Sequence, residues 1–302
     1  MLQKDPHMPF TKAEFSGRDR LMAKIVLSPT ILAATFFIYG FILWTIWLSL
    51  TRSTILPSNH FVGLANYYDL FGSSRWWRSL SNLGIFGGLY VLISLSLGLG
   101  LAILLDQRIK GERLYQVVFL YPMALSAVVT GVAWRWLLDP GFGLQAIVRS
   151  MGFPHFAFAW IDDPDMAIYT VVIAAVWQTT GFMMAIFLAG LRGVSSDIVK
   201  AAQIDGASHA RIYLRVILPS LAPTFFVALV LSVGLAIKSF GLIIALTGGG
   251  PGYSTNVPSI FMYVFSFQRG EMGVGAASAL MMLVIMMIFA LPFLYLDSRR
   301  QA

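Results

Sequence analysis

The chain contains no cysteine, so neither a disulfide nor a thiolate-ligated metal is open to it. Charge is nearly as scarce. Only 12% of the 302 residues are charged, where a soluble globular domain carries about a quarter. No glycine is followed by lysine anywhere, which excludes a P-loop. His7, His60, His155 and His209 are scattered, with no pair at metal-ligand spacing. The first 24 residues are polar and of mixed charge, without the apolar core of a cleavable signal peptide.

What is abundant is apolar sequence: 58% of residues are hydrophobic and the mean hydropathy is +0.76. So few charges could not cover the surface of a large soluble core. The composition is that of a polytopic membrane protein. Six runs are candidate spans, at about 25–50, 79–105, 114–138, 166–191, 219–246 and 273–296. Each exceeds the roughly 20 residues that cross about 30 Å of hydrocarbon as a helix. Period-two alternation is absent, so helices rather than a barrel are expected. Gly87, Gly88, Gly98, Gly100, Gly273, Gly275 and Ala277 offer small surfaces for close helix approach.

Basic residues orient the spans. With the N-terminus in the cytoplasm, the inner segments carry fourteen Lys and Arg and the outer segments five. Arg135 and Lys238 lie within spans, which completes the 21. The bias places both termini inside, and it accounts for the net charge of +7 without a nucleic-acid partner. Residues 1–24 are then a cytoplasmic tail, 25–296 one membrane domain, and 297–302 a second tail. Outside, the apolar spacing of FVGLANYYDLF predicts a short helix, and TGGGPGYSTNV after the fifth span reads as a tight turn.

One polar stretch interrupts this pattern. Residues 192–218, between the fourth and fifth spans, fall in the cytoplasm and hold KAAQIDGASHARIYLRVILP up to Leu218, its final Pro219 opening the next span. Ile198, Ala201, Ala202 and Asp205 have helical spacing; Asp205-Gly206 is a break; Ile212 and Val216 resume a helix. Two short helices bent at Gly206 could seat in a partner's groove. An amphipathic loop lying on the membrane interface has the same periodicity.

The fixed spacing of this stretch resembles the EAA motif of ABC importer permeases, in which Glu-Ala-Ala, three residues, Gly, nine residues and Ile-x-Leu-Pro follow one another. Here Ala201-Ala202 precede Gln203-Ile204-Asp205, then Gly206; Ala207 to Arg215 make the nine, and Val216-Ile217-Leu218-Pro219 close it. Lys200 stands where the family has glutamate, which reverses a charge, and Val216 replaces isoleucine. FLAGLRGV, FVGLANY and GGPGYST are similar to the sugar-permease branch, and the basic residue before AAQIDGA, PSIFMY and RGEMG resemble its glucose/mannose permeases.

The resemblance implies an all-α membrane protein of the MetI-like type I ABC importer fold, with six transmembrane helices and a coupling helix. It implies a multi-pass location in a prokaryotic inner membrane. It implies four kinds of partner besides the bilayer: a second permease subunit, two ATP-binding subunits seated on the coupling helix, an extracytoplasmic sugar-binding protein, and the sugar. ATP and Mg would be used by the ATPase subunits, with no cofactor held by this chain. Lys200, Ala201, Ala202, Asp205, Gly206, Ala207, Leu218 and Pro219 would form the ATPase-coupling surface.

Candidate pathway residues come from the spans themselves. Tyr121, Trp177, Gln178, Lys238 and Ser239 are aromatic or hydrogen-bonding groups where a sugar could meet them. Polar groups inside a span tend to face the bundle interior or a water-filled path. Lys238 is the costliest of them, and either serves the path or snorkels outward. Arg135 stands four residues before Asp139 and could pair with it. The expected cargo is a monosaccharide such as glucose or mannose; a disaccharide, a glycoside or glycerol phosphate would use the same machinery. From other classes, an ion-coupled secondary transporter and a docking scaffold remain. No Asp or Glu within any span offers the first an ion site.

Overall fold

The computed structural model describes residues 17–107 and 109–301. The first sixteen residues of the expected N-terminal tail, Arg108 of the basic count, and Ala302 lie outside the described residues. Among the described residues the structure is helical, with no strand beyond an isolated bridge between Thr51 and Phe61.

The chain divides into two compact units, Met1–Trp47 and Leu48–Ala302. The first holds most of α1 (Gly17–Ser49), whose apolar segment Lys24–Ser49 is long enough to cross a membrane. All other elements belong to the second.

A short helix, α2 (Ala65–Gly72), is the one the spacing of residues 61–71 predicts. Asn66 anchors it by donating to the carbonyls of Ser49 and Thr51 at 2.8 and 2.9 Å. Next come α3 (Ser74–Asp106), α4 (Glu112–Ala124), α5 (Ala127–Leu138), the short α6 (Leu144–Ser150) and α7 (Ala167–Arg192). The polar stretch forms α8 (Ser196–Ile204), α9 (His209–Ile212), a π-helical turn at Tyr213–Ile217 and α10 (Leu218–Ser220). Then follow α11 (Ala222–Ile237), α12 (Gly241–Leu246), α13 (Pro258–Tyr263), a second π-helical turn at Val264–Gln268, and α14 (Met272–Gln301).

By length and composition α1, α3, α7 and α14 can each cross a membrane. The other two expected spans are bent. Between α4 and α5 the axis turns by 97°, and the segment Tyr213–Ser220 meets α11 at 58°. A further break, Lys238 to Phe240, separates α11 from α12. Pro122 and the N-cap Ser126 explain the first bend: Ser126 Oγ accepts from the Val129 N–H at 3.2 Å and starts a new helix. Pro219 and Pro223 flank the second.

Helix α7 is the centre of the unit, and α3 packs along it. A Cβ on Gly98 would stand 2.6 Å from that of Met183, so only glycine permits the approach. On α7, a Cβ at Gly181 would overlap the Phe119 carbonyl of α4. By contrast, nothing stands within 4 Å of a Cβ at Gly88 or Gly100. Two apolar clusters result. One holds Trp76, Phe86, Val171, Ile243 and Phe261. The other, holding Leu105, Met183, Phe187, Ile212 and Leu221, supports the polar stretch.

Candidate functional site

The polar stretch is a handle built on a helix-stop signal. Ser195 caps α8, its Oγ accepting from the Asp197 N–H at 3.3 Å. At the other end the Gly206 N–H donates to the Gln203 carbonyl at 3.0 Å, and the Ala207 N–H to the Ala202 carbonyl at 3.1 Å. This pair of bonds is a Schellman motif, and it needs a left-handed residue at Gly206, where φ is +77°. An L side chain there costs about 1–2 kcal/mol. The bend is therefore set by one glycine.

The handle has two faces. Ala202, Ala207, Tyr213, Val216 and Leu218 pack against the second apolar cluster. Ile204 is 86% exposed, and Ile198, Lys200, Ala201, Asp205 and Gly206 are exposed with it. Lys200 Nζ stands 3.8 Å from Asp197 Oδ1, both well exposed. Pro219 is exposed at the turn into α11. The outward surface thus carries two isoleucines beside a cation and two carboxylates.

A cavity of about 270 Å³ lies where the two helix breaks meet. The break after α4 contributes Leu125 and Ala127; the break after α11 contributes Lys238, Ser239, Phe240 and Gly241. From α7 come Gln178 and Thr179, and from α3 Phe86 and Tyr90. Broken helices free backbone carbonyls, and these must be satisfied inside the protein. Gln178 Nε2 donates to the Leu125 carbonyl at 3.0 Å, and Ser259 Oγ to the Ser239 carbonyl at 2.9 Å. The buried Tyr90 lines the cavity with Thr179, whose Oγ1 donates to the Ala175 carbonyl at 2.8 Å. Among the described residues Lys238 is the one ionisable cation on the wall, and no carboxylate lines it. The cavity offers hydroxyl, amide and ammonium groups against the aromatic faces of Phe86, Tyr90 and Phe240.

Of the residues expected on the pathway, Gln178, Lys238 and Ser239 line this one cavity. Tyr121 is 63% exposed and Trp177 43% exposed, and neither lines it. Trp177 instead meets Trp134 edge-on with ring centroids 5.8 Å apart. Thr180 donates to its own helix at Val176, 2.7 Å away. The pairing expected of Arg135 and Asp139 is not formed. Asp139 Oδ1 accepts from the N–H groups of Gly141 and Phe142 at 2.8 and 3.3 Å, because the turn after α5 needs a cap. Tyr90 is the residue that sequence reasoning missed; its signal was a hydroxyl in the middle of an apolar span.

An apolar helical bundle with a polar-walled cavity between broken spans, and an exposed bent polar stretch, has the make-up of a membrane permease. Residues 94–301 match the family of binding-protein-dependent transport system inner membrane components, and the chain belongs to that family. It is 37% identical over 273 residues to a probable ABC transporter permease of Pyrococcus horikoshii, covering 90% of this chain and 94% of that one. It is 32% identical over 279 residues to the trehalose/maltose transport system permease protein MalF of Thermococcus litoralis, covering 92% and 94%. A bacterial ABC transporter that imports the acidic polysaccharide alginate shares the fold, with a TM-score of 0.79 at 22% identity over 93% of this chain and 96% of that one. The chain is thus an ABC permease of the MetI-like type I fold, an inner-membrane component rather than an enzyme, and the ATPase is a separate subunit.

Proposed function

We propose that the chain is one of two permease subunits of an importer that accepts a sugar from an extracytoplasmic binding protein and passes it through the cavity between the broken spans. The handle faces the cytoplasm, where two ATPase subunits use ATP and Mg and seat on it. Both termini lie on that side, in keeping with the excess of Lys and Arg in the inner segments. ATP binding favours one arrangement of the spans and hydrolysis releases it, so the permease supplies the two-state element that the motor biases.

The observation that carries the sugar reading is the cavity wall. Lys238, Gln178 and Ser239 offer donors to hydroxyls, and Phe86, Tyr90 and Phe240 offer faces to a sugar ring. At about 270 Å³ the cavity falls just under the roughly 300–1,000 Å³ of common ligand sites, which suits a small cargo such as glucose or mannose. The finer assignment rests on that size and on the sequence resemblance. The trehalose/maltose relative favours a disaccharide.

The test is a sugar screen. The external binding protein that co-purifies with the complex is titrated with glucose, mannose, trehalose and maltose, and each is then offered to the reconstituted complex with ATP. Uptake of one of them, with hydrolysis stimulated by it, supports the reading. Hydrolysis without uptake of any sugar favours a different cargo, and uptake driven by an ion gradient without ATP would return the ion-coupled alternative.

A further inference from the structure

Two side-chain bridges bracket the handle, one on each shoulder. Before it, Arg192 in the last turn of α7 is paired with Glu112 in the first turn of α4. Gln116 Nε2 donates to the same carboxylate oxygen at 2.7 Å and holds it in place. Each charge also suits its helix terminus, the acid at an N-terminus and the base at a C-terminus. In the second half of the handle, the Tyr213 hydroxyl donates to Asp106 Oδ2 at 3.2 Å. Tyr213 opens the π-helical turn, and Asp106 is the last residue of α3. Such turns inside helices are frequent at functional positions.

The far ends of the two bridged helices are what make this arrangement useful. Helix α4 runs from Glu112 to the break at Leu125, which lines the cavity. Helix α3 runs from Asp106 back to Tyr90 on the opposite wall. At helical rise these are rigid levers of about 20 and 24 Å. Besides the chain's own continuations into α7 and α11, a pull on the handle therefore has two paths to the cavity, each entering through one polar bridge. As sources of stability the bridges are weak, since the Arg192 side chain is 46% exposed and such pairs contribute little. Their value is in fixing which helix end moves with which shoulder.

We infer that the Arg192–Glu112 and Tyr213–Asp106 bridges are the two tethers that carry handle motion to the cavity, so that these four side chains position the spans for coupled transport. This rests on the proposed role of the handle. The loss of a tether leaves the motor seated and hydrolysing but idling.

The test uses the complete complex, with binding protein, in proteoliposomes supplied with ATP and with glucose, mannose, trehalose and maltose together. The variants are Glu112→Gln, Arg192→Gln, their double, Tyr213→Phe, and Tyr213→Phe combined with Glu112→Gln. All keep side-chain bulk. The readout is ATP hydrolysed per sugar accumulated, at equal yield of assembled complex. Each single variant is expected to raise that ratio about fivefold or more, the scale of a typical coupling free energy. The Glu112–Arg192 double is expected to be no worse than either single, and the cross-tether double to multiply the two effects. Ratios equal to the parent's, or a Glu112–Arg192 double in which the two effects multiply, would overturn the tether assignment while leaving the importer standing. A variant that does not assemble would overturn it too, because a tether is not needed for assembly. A parent complex without ATP-driven uptake of any of these four sugars would sink the sugar reading, and the tethers, which rest on it, as well.

Discussion

The Gln178 side-chain amide of α7 donates to the Leu125 carbonyl at 3.0 Å, across the gap where α4 ends and α5 has not yet begun. One bond thus satisfies a carbonyl freed by a helix break and fixes a wall of the cavity. Replacing Gln178 by leucine leaves that carbonyl without its partner. A fully buried unsatisfied acceptor costs about 1–3 kcal/mol, and this part-buried one falls at the low end of that range. The expected outcome for Gln178→Leu is a lower melting temperature of the detergent-purified complex together with reduced uptake. Thermal unfolding and transport, measured on the same preparation, check it.

Lys238 caps the C-terminal end of α11 and is among the residues that line the cavity. Lys238→Met keeps the length and removes the donors. The half-saturating sugar concentration is expected to rise about tenfold, the equivalent of about 1.4 kcal/mol, while the yield of complex with the ATPase stays unchanged. An uptake titration at constant ATP gives the first quantity, and co-purification the second.

Gly206 carries the bend of the handle at φ +77°. Gly206→Ala is expected to weaken the hold on the ATPase about fivefold to thirtyfold, as a strain of 1–2 kcal/mol requires. Gly206→Pro goes further, since it also removes the N–H that donates to Gln203. It is expected to abolish ATP-driven uptake while the spans remain inserted. Binding of purified ATPase to the immobilised permease, alongside membrane localisation, checks both.

Close packing along α7 allows a sharper stability prediction. A Cβ on Gly98 would collide with Met183, and one on Gly100 would meet nothing within 4 Å. Gly98→Val is therefore expected to destabilise the bundle by about 1–3 kcal/mol, the usual cost of overpacking. Gly100→Ala is expected to be neutral or slightly stabilising by helix propensity. The melting temperatures of the two variants, compared side by side, decide it.

These positions also show what could be read from the amino-acid order alone. The handle was legible because its signal is local: Asp205-Gly206 ends a helix by backbone conformation, and a Schellman motif needs nothing from elsewhere in the chain. The long spans α3, α7 and α14 were legible through hydropathy. The breaks were not. Hydropathy averages over composition, and the run through Leu125 and Ser126 stays apolar while its axis turns by 97°. Only Pro122 and Ser126 marked that turn locally. Gln178 and Lys238 could be named as polar groups in spans, but their meeting depends on three helices approaching one another. Tyr90 was hidden in the same way. Close approach at Gly98 was visible as small-residue spacing, yet the same spacing at Gly88 and Gly100 leads to open space.

The account stands most directly on where the handle lies and what covers it. The chain has no cysteine of its own, so Ile204→Cys on the 86% exposed face of α8 gives a single reactive site. It is challenged with a membrane-impermeant maleimide in intact cells, in inverted vesicles stripped of ATPase, and in the assembled transporting complex. The account predicts labelling in the stripped inverted vesicles alone, with protection in the other two. Labelling in intact cells, or equal labelling with the ATPase seated and transport running, would contradict it.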